Sequence, residues 1–110
     1  MSRDTIDSEM NRGFLQLLIL FLLEKATYGY GILQRVNGLG YSVEENSLYP
    51  LLRRLAEKGY LSSKWEVVEN KPRKYYEISK EGRALRKQQY EVWKQQNEIL
   101  SGLKEEIDHE

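Results

Sequence analysis

From Asn46 to Leu61 the chain reads NSLYPLLRRLAEKGYL, and Leu48, Leu51, Leu52 and Leu55 fall at i, i+3, i+4 and i+7. This spacing predicts an α-helix with its leucines on one face. With that face turned inward, Tyr49, Arg53 and Glu57 point away from the core, Pro50 lies between them, and Arg54 and Lys58 occupy the far flank. A tyrosine and two arginines are thus expected at the surface. Gly59 suits the left-handed residue that ends a helix, and Lys58 suits the negative end of its dipole. At the other end Asn46 and Ser47 are both capping residues, and Pro50, which lacks an N–H, belongs in or near the first turn.

Upstream, residues 1–10 are polar and are expected to be loosely held. The segment NRGFLQLLILFLLEK, Asn11 to Lys25, predicts a buried helix in which Gln16 is the single polar interruption between Phe14 and Leu23. Phe14, Leu17, Leu18, Phe21 and Leu22 form its densest face. A helix so apolar needs cover on more than one side, and part of that cover is expected from a second subunit. After a short break at Ala26 to Tyr28, GYGILQRV predicts a second helix carrying Ile32, Leu33 and Val36 inward and stopped by Asn37, Gly38 and Gly40. Only Tyr41 to Glu45 then separate it from the leucine-striped helix. Two helices so joined make a helix-turn-helix.

Past Gly59 the period changes. SKWEVV (Ser63 to Val68) alternates with Trp65 and Val67 on one side, and RKYYEI (Arg73 to Ile78) with Tyr76 and Ile78. Glu69-Asn70-Lys71-Pro72 is the polar loop of the hairpin between them. Its tip and outgoing strand carry Lys71, Arg73 and Lys74, so it reads either as the wing of a winged helix-turn-helix or as a solvated turn that is basic by chance. Ser79 caps the start of a last helix from about Lys80. In it Leu85, Val92 and Ile99 recur every seven residues, as do Trp93, Leu100 and Ile107, with Leu103 between the sets. At roughly 40 Å this two-sided seam is too long to pack only on its own small domain, and pairing with a second copy is expected. The glutamine pairs Gln88-Gln89 and Gln95-Gln96, together with Gly102, weaken it as a free-standing coiled coil.

Composition narrows the function. One domain fits the 110 residues, and the absence of cysteine fits a reducing, cytoplasmic setting without disulfides or thiolate metal sites. The apolar run Leu17 to Leu23 is far short of a bilayer span, and no signal peptide is expected in MSRDTIDSEMNRG. Net charge is zero, yet residues 46–80 hold 8 basic and 4 acidic side chains while each flank is acidic by two. Such polarisation offers one positive surface to a polyanion. An enzyme is not expected: the only histidine is His109, and the adjacent pairs Glu44-Glu45 and Glu105-Glu106 read as solvated surface. No cofactor or metal is expected either.

The blocks RGFLQLLILFLLEKATYGYGI, SLYPLLRRLAEKGYL and KPRKYYEIS, with the Glu81-Gly82 pair that opens the last helix, resemble the PadR family of bacterial transcription regulators. The resemblance runs from Arg12 to about Trp93, and the short C-terminal segment resembles the small subfamily with a single dimerisation helix. It implies a mainly α fold with a small β-hairpin: a winged helix-turn-helix at residues 11–79 and a dimerisation helix at 80–108. The implied partners are pseudo-palindromic double-stranded DNA and a second copy of the chain, and the implied activity is usually repression. Carried over, it puts Asn46, Ser47, Tyr49 and Arg53 at the DNA, Tyr49 and Ser47 mainly on phosphates, and Lys71, Arg73 and Lys74 at the wing. The family typically has a small residue such as glycine at position 46, so Asn46 is where an operator preference of its own is expected.

Within this frame Arg53, with its planar fork, is the candidate for a base edge, and Arg54 joins the wing cations on phosphates. Some small members bind planar aromatic compounds between subunits with an aromatic residue of the last helix, a position that Trp93 matches; with the apolar positions Phe14, Leu85, Val92, Ile99, Leu100 and Leu103 it makes the expected effector pocket or dimer interface. The Trp93 indole either stacks on such an effector or packs the seam. The expectation is a homodimeric repressor released by a small aromatic molecule. The alternative is a winged-helix protein-interaction module that does not bind DNA.

Overall fold

The computed structural model describes residues 3–109, with side chains from Gly13 onward. Four helices, α1 (Arg3–Leu22), α2 (Gly29–Gly38), α3 (Glu45–Glu57) and α4 (Lys80–Asp108), combine with the strands β1 (Thr27–Tyr28), β2 (Leu61–Val68) and β3 (Lys71–Ile78). The sheet is antiparallel with order β1-β3-β2. Among the described residues no helix is long and apolar enough to cross a membrane.

Helix α1 opens well before Asn11, so residues 3–10 are helical rather than a loose end. Nothing in RDTIDSEM breaks a helix, and its acids favour an N-terminal turn. The expectation for residues 1 and 2 lies outside the described residues. At the other end α1 stops at Leu22, short of Lys25, because its last carbonyls are taken by other elements. Arg86 of α4 donates to the Leu20 carbonyl (3.4 Å), Arg35 of α2 to that of Leu22 (3.2 Å), and the Ile78 amide of β3 to that of Leu23 (2.8 Å). Carbonyls with no partner inside the helix are thereby satisfied by guanidinium groups, which also suit the negative end of the dipole.

The core joins Leu15, Ile19 and Leu20 of α1, Leu23 just after it, Ile32 and Val36 of α2, all four α3 leucines, and Leu61, Tyr76 and Ile78 of the sheet. The buried face of α1 is therefore not the one its density favours. Leu17 is buried, but Phe14 and Phe21 are exposed and Leu18 and Leu22 half-buried. In a run apolar all round, packing rather than periodicity chooses the face.

Between α2 and α3 the turn is clamped by Asn37. Its amide donates to the carbonyls of Leu33 (3.0 Å) and Val43 (3.2 Å) and accepts from the Val43 N–H (2.9 Å). Helix α3 starts at Glu45 with Glu44 as N-cap and without a side-chain cap bond, so neither Asn46 nor Ser47 serves as the cap and Pro50 falls in the second turn. Its end is as expected: Gly59 is left-handed (φ 85°), and the Tyr60 and Gly59 amides donate back to Leu55 and Ala56 in a Schellman motif.

The hairpin loop is tighter than the sequence reading has it. Lys71 and Pro72 belong to β3, and the turn is Glu69-Asn70 alone, both left-handed (φ 52° and 63°) as a two-residue type I′ turn demands. Ser79 caps α4 by accepting from the Gly82 N–H (3.0 Å). A Cβ at Gly82 would collide with the Tyr60 carbonyl and come within 2.8 Å of Ile78 Cγ1, so glycine is what lets α4 dock there. The fold is a winged helix-turn-helix with a long C-terminal helix.

Candidate nucleic-acid interface

The α3 leucine stripe is sealed, with Leu48 and Leu52 fully buried. Registered by it, Asn46, Ser47, Pro50, Arg53 and Arg54 stand exposed on the other side of the helix, as the sequence pattern requires. Tyr49, expected at the surface, is instead half-buried, because its ring packs against the core cluster. Its ring lies against α2, where a Cβ at Gly29 would meet Cε1 at 3.3 Å. Burial raises the pKa of its hydroxyl, and Glu45 and the phenols of Tyr30 and Tyr28 push the same way. At neutral pH Tyr49 is therefore a protonated O–H, suited to donate to an anionic oxygen.

The wing cations do not form one cluster. Successive strand residues face opposite sides, so Lys71 and Arg73 share a face with Tyr75, while Lys74 lies on the core-side face opposite Trp65. The Arg73 guanidinium carbon is 4.5 Å from the centre of the Tyr28 ring, and Lys74 Nζ is 5.4 Å from that of Tyr76. Both side chains are half-buried, whereas Lys71 is exposed. Beyond the core the inner face of the hairpin carries Trp65 and Val67, 68% and 74% exposed.

Tyrosines that sequence reasoning passed over line the junction of β1, α2 and the wing. Tyr28 contacts Tyr75 (centroids 5.8 Å apart) and Tyr30 (6.5 Å), and Tyr30 is half exposed on the first turn of α2. Repetition was the available signal, since TYGYGI sets two tyrosines around one glycine at the start of a helix. What it did not show is that β1, only two residues long, pairs Tyr28 with Tyr75 and so carries it to the wing.

The second group of expected residues lies along α4. Val92, Trp93, Ile99, Leu100 and Leu103 are all exposed on this chain, as is Phe14 of α1. Leu85 is different: it packs against the chain's own core, because the first turns of α4 lie on the domain. Trp93 stacks on Tyr90 (6.0 Å, 14° between planes), and Tyr90 meets Phe21 edge-on (5.7 Å). Tyr90 and Phe21 extend the group across α4 to α1.

A family model for PadR-like transcriptional regulators matches residues 18–88, which span the end of α1, the helix-turn-helix, the wing and the start of α4. The chain is 34% identical to a PadR family regulator from Eggerthella lenta, with a TM-score of 0.85 over 91% of this chain and 89% of that one. A transcriptional regulator from Clostridium thermocellum is also 34% identical, with a TM-score of 0.79 over 86% and 96% of the respective chains. Transcriptional regulator Rv3488 of Mycobacterium tuberculosis is 34% identical over 77 residues, 69% of this chain and 72% of that protein. The family and these three relatives are regulators of transcription, not enzymes. The chain belongs to the PadR-like family of transcriptional regulators.

Proposed function

We propose that the chain acts as a homodimeric repressor in the cytoplasm, binding a pseudo-palindromic DNA duplex and released by a planar aromatic effector. In this reading residues 11–79 are the DNA-binding unit and 80–108 the dimerising helix. The observation that carries it is the division of α3 into a sealed leucine face and an exposed face bearing Arg53 and Arg54. Two such helices, offered by a dimer about 34 Å apart, meet successive major-groove faces. Arg53 reads a base edge beside Asn46; Ser47 and Tyr49 hold phosphates; Arg54, Lys71, Arg73 and Lys74 neutralise the backbone. The α4 side chains from Val92 to Ile107 support dimerisation, since an exposed row of this size needs cover. Trp93, already stacked on Tyr90, is the place for an aromatic ligand to insert.

Selection of bound sequences from random duplex, followed by titration across salt, tests the reading. The expected result is a two-fold symmetric site. With four phosphate-facing cations per subunit, log K should fall against log salt with a slope of roughly −7. Absence of binding even at low salt would instead favour a protein-interaction module. For the effector, planar aromatic compounds should quench Trp93 in a chain whose other tryptophan is removed (Trp65→Phe); an unchanged signal across the panel removes that part of the proposal.

A further inference from the structure

Among the described residues, the hairpin projects past β1, the strand that supports its free edge. Strand β3 is flanked on one side by β2 along its whole length, but on the other side β1 reaches only as far as Tyr75. From Lys74 to Lys71 no described strand pairs with the wing on that edge, and Arg73 lies in this stretch. Its guanidinium nevertheless has a fixed seat 4.5 Å above the Tyr28 ring, close enough for a cation–π contact. Glu66, directly opposite Arg73 in the ladder, pairs with Lys64 instead (2.9 Å).

The seat is itself held. Tyr28 is paired through its backbone to Tyr75, and its ring lies against Gly31, where an added Cβ would meet Cε1 at 3.0 Å and Cδ1 at 3.2 Å. The next residue, Gly29, is where the Tyr49 ring of α3 packs. Tyr28-Gly29 thus touches both the Tyr49 ring of α3 and the wing arginine. We infer that Tyr28 is a positioning residue for DNA binding: its ring fixes where the Arg73 guanidinium stands relative to α3, and so which phosphate the wing reaches. This rests on the proposed DNA-binding reading.

A double-mutant cycle on the full chain tests it, with the selected duplex as probe and anisotropy as readout. Arg73→Gln should weaken binding about tenfold in a dimer that loses one contact per subunit, and should reduce the salt slope by roughly 2. Tyr28→Leu is expected to reproduce both effects, Tyr28→Phe to restore wild-type binding because the ring face is kept, and the double variant to be no worse than Arg73→Gln alone. In the free protein the Arg73 Nε–H resonance should move when Tyr28 becomes Leu but not when it becomes Phe, a readout that needs no DNA. Wild-type affinity and slope in Tyr28→Leu, additive losses in the double variant, or an Arg73 resonance indifferent to Tyr28 would overturn the inference while leaving the DNA-binding reading intact. If the wild-type chain bound no duplex at all, it is that reading which would fail.

Discussion

Arg53 and Lys71 are both exposed cations, but they sit on different kinds of element, and this separates what their removal should do. Arg53 projects from a helix whose register is pinned by four leucines, so its position on the α3 surface is fixed. Arg53→Ala should cost about 1–3 kcal/mol on the preferred site and flatten discrimination at one base position. Lys71 stands beside the hairpin turn, and Lys71→Ala should weaken preferred and scrambled duplexes alike. Parallel titrations on both duplexes check this; the reverse pattern would exchange the two roles. A second residue-scale expectation concerns Glu24, whose carboxylate accepts from Arg86 (3.1 Å) and Arg83 (3.4 Å) and ties the end of α1 to α4. The Arg86 hydrogen bond, helped by the charges of Arg83 and Arg86 and the Arg83 hydrogen bond, holds its pKa below the ordinary 4.5 against desolvation, which pushes it up. A carboxylate with a lowered folded pKa stabilises above its unfolded value and loses that contribution as pH falls through the folded one. Glu24→Gln should therefore be less stable than wild type at neutral pH, and the gap should close below about pH 4.5, measured as denaturant midpoints across pH.

Helices, strands and their joints set the next scale, and α4 shows how context reverses an intrinsic preference. By helix propensity alone, Gly→Ala inside a helix gains about 1 kcal/mol. At Gly102, where an added Cβ meets nothing within 4 Å, that gain should appear as a raised melting temperature. At Gly82 the same change drives the Cβ into the Tyr60 carbonyl and should instead cost about 1–3 kcal/mol net of propensity, because backbone cannot move aside as a flexible side chain can. Equal effects at the two positions would contradict this account. The same contrast explains what could be read in advance. The α3 stripe, the Gly59 stop, the Ser79 cap and both long strands follow from period and capping chemistry, which are local. β1 did not, because two residues carry no period, and their pairing is decided by a strand some fifty positions away. The hairpin turn came out shorter than expected because Asn70 tolerates a left-handed backbone and Glu69 is held there by the ladder on either side.

For the molecule as a whole, the question is what covers α4. The chain extends over 64 × 33 × 20 Å, and the part of the helix beyond the domain carries Ile99, Leu100, Leu103 and Ile107 in the open. Leu103→Glu touches nothing that holds one chain together, since Leu103 is 52% exposed and outside the core cluster. It should leave the circular dichroism spectrum unchanged while shifting sedimentation from dimer to monomer and lowering affinity for a two-fold site at least tenfold. Retention of the dimer would move the interface elsewhere on the molecule.

Residue order by itself determined the helix-turn-helix, the existence of a basic hairpin, the long last helix and the side of α3 that carries Arg53, because each follows from a period or cap that neighbouring residues enforce on one another. The tertiary structure alone decided which face of the apolar α1 is buried, that Lys74 and Arg73 point to opposite sides, and that Tyr28 lies under the wing arginine. Those outcomes depend on contacts between residues distant in the chain, where packing and strand register, rather than any local preference, fix the result.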